Sequence, residues 1–308
     1  MPARFILSLD CEGKWGVADL LSKIDTRSLS DQALRRAYEG IAQLLDRCDI
    51  PATFAFVGLF GETAEQFAKV REGVEVLAAK APHYLRPALD EIDGGSPTGW
   101  HGAWAVDLIG AANARHEIAL HGVSHVPWGK VGEDFVREEL RLLEMLSGPV
   151  KGSKTFVYPR NDVGHAHLLP SAGIRGYRLA ARARSRASSL LSEFNVRSPS
   201  ERDGGIANGL VEIPAGYFVN WQSGLRKTVP HRLTRKRVIY MLDHAERTNG
   251  VVHLWLHPEN IATAPTTLSL LAGILTLVAD RRDQGRCRIL RQIDYVAERT
   301  RSAAAEAA

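Results

Sequence analysis

Three features of this 308-residue chain predict an α/β fold built on a parallel sheet or barrel. Strand-like runs alternate with segments of helical period. Apolar residues make up 45% and charged residues 24%, an ordinary globular balance, and the length suits one α/β barrel. Asp10, His121 and His257 each fall at or just after the end of a predicted strand, where α/β barrels carry their reacting groups.

The elements follow in order. Arg4 to Asp10 reads as a strand, and Leu29 to Cys48 as a helix with Leu34, Tyr38, Ile41 and Leu45 at helical spacing. Ala52 to Leu59 reads as a buried strand after Pro51, and Thr63 to Ala79 as a helix with Thr63 at its start. Residues 80–103, with three prolines, four glycines and two histidines, read as an irregular insertion or lid. Glu117 to Leu120, Thr155 to Tyr158, Arg175 to Leu179, Val211 to Ile213, Val251 to Leu256 and Cys287 to Leu290 complete the strands. Gly132 to Leu146, Leu233 to Thr248 and Thr267 to Asp280 read as helices. The chain divides into one domain over residues 1–300 and a frayed tail over 301–308.

Net charge is +4 and the pI about 9.0, which leans towards an anionic substrate or a membrane-surface contact. The basic clusters Arg178, Arg182, Arg184, Arg186 and Arg226, Lys227, Arg232, Arg235, Lys236, Arg237 read as solvated faces or as a phosphate contact. They lack the interleaved aromatics of a nucleic-acid surface. Cys11, Cys48 and Cys287 form no CxxC pair, and no signal peptide or long apolar run is seen. A reducing, cytoplasmic setting is the expectation.

The chemistry-bearing residues fall in four groups. His121 and His125 lie four apart and face one side if the chain makes a helical turn; they read as metal ligands or as two loop histidines. Asp10 and Glu12, two apart on an extended stretch, share a face. One can bind a metal while the other serves as a base, or the pair is a solvated turn or helix cap. Trp15 and Gly16 beside them read as a pocket wall or a cover for the barrel end. His257 ends an apolar strand and reads as a general acid or a capping residue, whereas His253 reads as a satisfied core histidine. The run Tyr158-Pro159-Arg160-Asn161 reads as an oxyanion loop whose Arg160 orients a carboxylate, or as a surface turn. His165 and His167 read as helix-start residues. Together these groups suggest a metal-dependent hydrolase.

In order, Ser8-Leu9-Asp10-Cys11-Glu12, His121 to His125, Tyr158-Pro159-Arg160-Asn161 and Leu256-His257-Pro258 resemble the motifs of the polysaccharide deacetylase family, carbohydrate esterase family four, with its NodB homology domain. The resemblance spans residues 4–290 and implies a distorted (β/α) barrel of about seven parallel strands. It implies a divalent metal, zinc with cobalt or nickel as alternatives, held by Glu12, His121 and His125. Asp10 would be the base, His257 the acid and Arg160 the catalytic arginine, with Trp15, Tyr158 and Asn161 lining the substrate. Two departures stand out: Cys11 separates the two acids, with Glu12 where an aspartate is usual, and Pro159 precedes Arg160. The expected reaction removes an acetyl or formyl group from an N-acylated amino sugar. In the cytoplasm that sugar would be a nucleotide- or lipid-linked precursor of surface polysaccharide or O-antigen. The alternatives are an amidohydrolase of a small non-sugar amide, such as a ureide, and a non-catalytic carbohydrate-binding barrel. Metal identity and oligomeric state are left open.

Overall fold

The computed structural model describes residues 2–180 and 190–306. Its ten strands form one sheet: β1 Ala3–Cys11, β2 Thr53–Phe56, β3 Glu117–Leu120, β4 Thr155–Val157, β5 Gly176–Arg178, β6 Ile206–Ala207, β7 Leu210–Ile213, β8 Tyr217–Phe218, β9 Val251–Leu256 and β10 Cys287–Leu290. The order is β6-β7-β5-β4-β3-β2-β1-β9-β8, with β10 added against the start of β1. Among the described strands only β6 forms an antiparallel ladder, to β7, with one antiparallel bridge between Glu201 and Val251. The strands thus outnumber the seven expected; β6 and β8 have two residues each, too few to show a period in sequence.

The sheet curls strongly. Strands β4, β3 and β2 lie between β5 and β1, yet Arg178 on β5 ion-pairs with Asp10 on β1 at 2.6 Å. This curled, mainly parallel sheet is a distorted (β/α) barrel. Alternation along β1 sorts its side chains. Phe5, Leu7 and Leu9 join the main core under the helices, while Ile6, Ser8 and Asp10 take the other face. In register beside Asp10 lie Ala55 and then Ala119, small side chains across which Arg178 can reach.

Helices cover the outside because their apolar stripes need a partner. The helix Asp31–Cys48 is capped by Ser30 and buries Leu34, Tyr38, Ile41 and Leu45, the stripe read from sequence. Ala64–Lys80 opens with a capping box between Thr63 and Gln66. Glu133–Met145, His231–Thr248, Pro258–Thr263 and Thr266–Asp283 follow. No helix among the described residues is long and apolar enough to cross a membrane.

Two expectations change. Residues 80–103 are mostly helical, as Pro82–Asp93 and the start of Ala103–Gly110, and Trp100 between them is fully buried. Proline at the first position suits a helix start, so its presence did not mean a loop. The segment braces the turn after β1: Trp15 Nε1 donates to Trp100 O at 3.0 Å, and Lys14 pairs with Glu91. The second change is at the C-terminus, where the helix Gln292–Glu306 runs beyond Thr300, as its alanines favour.

Candidate active site

The turn that ends β1 presents two acids. Asp10 is buried, and Arg178 grips it with Nη1 to Oδ1 at 2.8 Å and Nη2 to Oδ2 at 2.6 Å. Burial pushes the Asp10 carboxyl up, but Arg178, His121 and His257 outweigh it and hold the group below the usual range. Two residues on, Glu12 projects to the same side. The chain can turn there because Gly13 takes φ +55°; a Cβ would lie 2.5 Å from the Phe60 ring and 2.6 Å from Gly99 O. Glu259 secures the turn by accepting from the amides of Glu12 and Gly13 at 3.1 and 2.6 Å. Burial, then Glu12, raises the Glu259 carboxyl to about 7.

At the end of β3, His121 and His125 both come to Glu12 Oε1, each with Nε2 at 3.0 Å. They do so without the helical turn that their spacing suggests. Gly122 at φ +67° and His125 at φ +63° shape an irregular loop, and a Cβ on Gly122 would strike Pro159 Cγ at 2.7 Å. Glu139, fully buried on the helix Glu133–Met145, pins that loop on either side of His125. It accepts from Ser124 N at 2.8 Å, from Ser124 Oγ and from Trp128 Nε1.

At the end of β9, His257 Nε2 stands 3.3 Å from Glu12 Oε1 and 4.0 Å from Asp10 Oδ2. Its Nδ1 donates to Asn260 Oδ1 at 3.1 Å, which also receives the His257 amide and is thereby oriented as an acceptor. Burial alone would lower the His257 imidazole; Glu12, Asp10 and Glu259 raise it to about 10.

A cavity of about 280 Å³ holds Asp10, Glu12, His125, Arg160, Asn161, Trp255 and His257 at the ends of the strands. Asn161 reaches Arg178 Nη2 through Oδ1 at 3.0 Å. Arg160 lines the cavity but does not buttress Asp10: at φ +55° it turns to Asp19 and Gly16 O. The amides of Asn161 and Asp162 already donate within the turn, which leaves the amide of Arg160 as the oxyanion candidate in that loop. Trp15 is not a pocket wall; it is buried edge-on against Trp100. Tyr158 is buried too, packed against Trp128, Phe156 and Tyr177.

Sequence reading missed Arg178, Trp255, Glu139 and Glu259. Arg178 is fully buried instead of lying on a solvated face; Arg182, Arg184 and Arg186 of the same cluster fall outside the described residues. In the second cluster, Arg237 is buried and, with Arg226, pairs with Glu193. His253 is the satisfied core histidine expected. Its Nδ1 donates to Pro214 O at 2.7 Å, so Nε2 accepts from Ser8 Oγ at 2.9 Å, which in turn accepts from Arg178 Nη1 at 3.2 Å. The three cysteines are free.

No family model matches the chain, and no curated protein matches it by sequence. Solved structures match it in fold. A Mycobacterium smegmatis protein described as a polysaccharide deacetylase aligns with TM-score 0.61 at 15% identity, over 97% of this chain and 90% of that one. Puue allantoinase aligns with TM-score 0.55 at 13% identity, over 96% and 89%. A Pseudomonas aeruginosa PAO1 protein described as a polysaccharide deacetylase gives TM-score 0.52 at 12% identity, over 96% and 89%. The chain has the polysaccharide deacetylase fold. At these identities the likeness is one of fold, and the chemistry must be argued from this chain's own residues.

Those residues fit a divalent metal. His121 Nδ1 faces Val157 O at 2.9 Å, and a carbonyl only accepts, so the proton sits on Nδ1. That leaves Nε2, 3.0 Å from Glu12 Oε1, as the ring atom that can ligate a metal. His125 Nε2 adds a further nitrogen, and the ligand atoms of Glu12, His121 and His125 all lie within 4.8 Å of one another. Metal–ligand bonds of about 2.0–2.2 Å separate neighbouring ligand atoms by roughly 3–3.5 Å, close to the spacing found. Two imidazoles and one carboxylate suit zinc, cobalt or nickel, and the carbonyl behind His121 is the usual outer support of such a ligand.

Proposed function

We propose that the chain is a metal-dependent N-deacylase that removes an acetyl or formyl group from an amino sugar. One observation carries this reading: a Glu-His-His ligand set, an arginine-held aspartate and a histidine converge in one cavity at the strand ends. A divalent metal held by Glu12, His121 and His125 would supply Lewis acidity and an activated water. Asp10, kept ionised and oriented by Arg178, takes the proton of the attacking water. His257, with Nδ1 committed to Asn260, hands a proton from Nε2 to the leaving amine, without which the C–N bond does not break. The amide of Arg160 faces the developing oxyanion, and Asn161 and Trp255 bound the substrate. The exposed Lys227, Arg232, Arg235 and Lys236 support a phosphate-bearing, nucleotide- or lipid-linked precursor in the cytoplasm, with a weak membrane-surface contact. A place in surface-polysaccharide or O-antigen assembly follows from that substrate.

The small catalytic cavity and the fold shared with Puue allantoinase favour a second reading, hydrolysis of a ureide. Metal content of purified protein and of the His121→Ala/His125→Ala variant tests the site. The proposal expects about one equivalent, lost in the variant. Acetate or formate release from N-acyl amino sugars then separates the two readings. Metal without such release, but with ureide turnover, selects the second; absence of metal after reconstitution with zinc, cobalt or nickel overturns both.

A further inference from the structure

Arg160 and Asn161 are consecutive non-glycine residues in the left-handed region, at φ +55° and +54°. Such backbone is costly and persists where its surroundings fix it, most often at ligand clamps and reacting sites. Pro159, against which a Cβ on Gly122 would strike, fixes the loop on one side, and Asn161 Oδ1, 3.0 Å from Arg178 Nη2, fixes it on the other. The result is that both residues line the catalytic cavity beside Asp10, Glu12 and His257.

What this loop offers the cavity is one-sided. The Arg160 guanidinium engages Asp19 and Gly16 O through Nη2 alone. Among the described residues, its Nη1 and Nε have no hydrogen-bond partner, and neither has Asn161 Nδ2. Asp19 lies behind the guanidinium, its side chain 8% exposed against 33% for Arg160. All the unpaired groups are N–H donors. The acids of the same cavity are answered elsewhere. Asp10 is held by Arg178, and His121, His125 and His257 surround Glu12 Oε1. Open to solvent, these donors are hydrated. A substrate that fills the cavity displaces that water, and a neutral ring returns only weak acceptors to a charged guanidinium. A carboxylate or a phosphate returns charged ones, whose hydrogen bonds are the strong kind. The cavity, about 280 Å³, falls just below the range of ligand sites, about 300–1,000 Å³, so the anion must belong to the reacting unit itself.

We infer that Arg160, assisted by Asn161, is the specificity-determining residue of this site, and that it selects an N-acyl amino sugar whose own ring bears an anionic oxygen group, a carboxylate or a phosphate. The inference rests on the amino-sugar reading for its reaction and on the donor wall for its ligand. Arg178 already grips Asp10, so the Arg160 side chain has a duty separate from that of the base. The anion is bound before and during the reaction alike, so its contact shows mainly in KM.

The test measures deacetylation of N-acetylglucosamine, N-acetylglucosaminuronic acid and the 1- and 6-phosphates of N-acetylglucosamine by metal-loaded protein. Arg160→Asn removes the cation and places there a residue that accepts left-handed backbone, so the loop keeps its course. The readout is the ratio of kcat/KM for each anionic sugar to that for the neutral one, in which any loss common to all substrates cancels. The expected result is a preference of about tenfold to a hundredfold for at least one anionic sugar. The carboxylate and phosphate arms then tell which group is read. Arg160→Asn should bring the ratio close to one through the KM of the anionic sugar, and Arg160→Lys, which keeps the charge, should keep part of it. Equal turnover of neutral and anionic sugars overturns the inference. So does a preference that survives Arg160→Asn, as an anion held by the metal would give. If no sugar is deacylated, the functional reading fails and calorimetric titration with the same four compounds decides the inference. Tighter binding of an anionic sugar that Arg160→Asn removes sustains it; equal affinities or absence of binding overturn it.

Discussion

Asp10 can stay charged inside the barrel only because Arg178 meets it with two parallel N–H donors and has further partners of its own. A planar fork fixes both the charge and the angle of the carboxylate, and a lysine can supply only the first. Arg178→Lys should therefore lower kcat about a hundredfold, as small displacements of a reacting group do, with a smaller change in stability. Arg178→Met, which strands a buried carboxylate, should cost about 3–5 kcal/mol in urea unfolding. Arg160→Ala removes a partly exposed pair with Asp19 and a hydrogen bond to Gly16 O, and should cost about 1 kcal/mol. If Arg160→Ala proves as damaging as Arg178→Met, the assignment is wrong. This arginine was hidden in sequence because it begins a run of basic residues that looks like a solvated face. The two acids and three histidines of the site were legible, since polar groups at the ends of apolar runs stand out. Which arginine would answer Asp10 depended on sheet curl, which no local pattern records.

The helix Glu133–Met145 was read from its period, and its apolar stripe is buried as expected. Its one fully buried charge, Glu139, carries a second duty. By accepting from Ser124 and Trp128 it holds the loop that turns His125 back to Glu12. Glu139→Gln puts an amide N–H against one of these donors. The loss should be about 1–3 kcal/mol of stability and roughly tenfold in zinc affinity, measured by competition with a chromogenic chelator. Adding Trp128→Phe removes the opposing indole N–H and should restore part of the zinc affinity. Unchanged affinity in Glu139→Gln would show that the loop holds itself. Helix lengths and strand positions were accessible to sequence because period and caps are local. Residues 80–103 were misread because their prolines and glycines mark element ends as well as loops; Trp100, buried between two short helices, marks the segment as packed core.

At the scale of the whole molecule, the barrel encloses charge and imidazole where many barrels pack aliphatic layers. The chain Arg178–Ser8–His253–Pro214 crosses that interior with every hydrogen-bond direction determined. Two imidazoles buried away from any carboxylate partner, His253 and His116, stabilise only while they stay neutral. Burial pushes His253 down to about 3, and burial likewise takes His116, at the start of β3, to about 4. In the unfolded chain both titrate near about 6.5, so the unfolded state binds more protons as pH falls below that value. Their contribution is therefore fully present above about pH 6.5 and is lost progressively towards pH 4. Glu117 and Glu139, whose carboxyls burial raises, act in the opposite sense, so the net slope alone is not diagnostic. The difference between variants is. His116 Nδ1 accepts from Ala52 N at 3.1 Å, and a glutamine can keep an acceptor there without titrating. His116→Gln should flatten the loss of unfolding free energy between pH 7 and pH 5 by about 1–2 kcal/mol, a range reduced for the partial exposure of the ring. Parallel pH profiles for the two proteins would mean that His116 titrates normally in the fold and that the acid response lies elsewhere in the barrel.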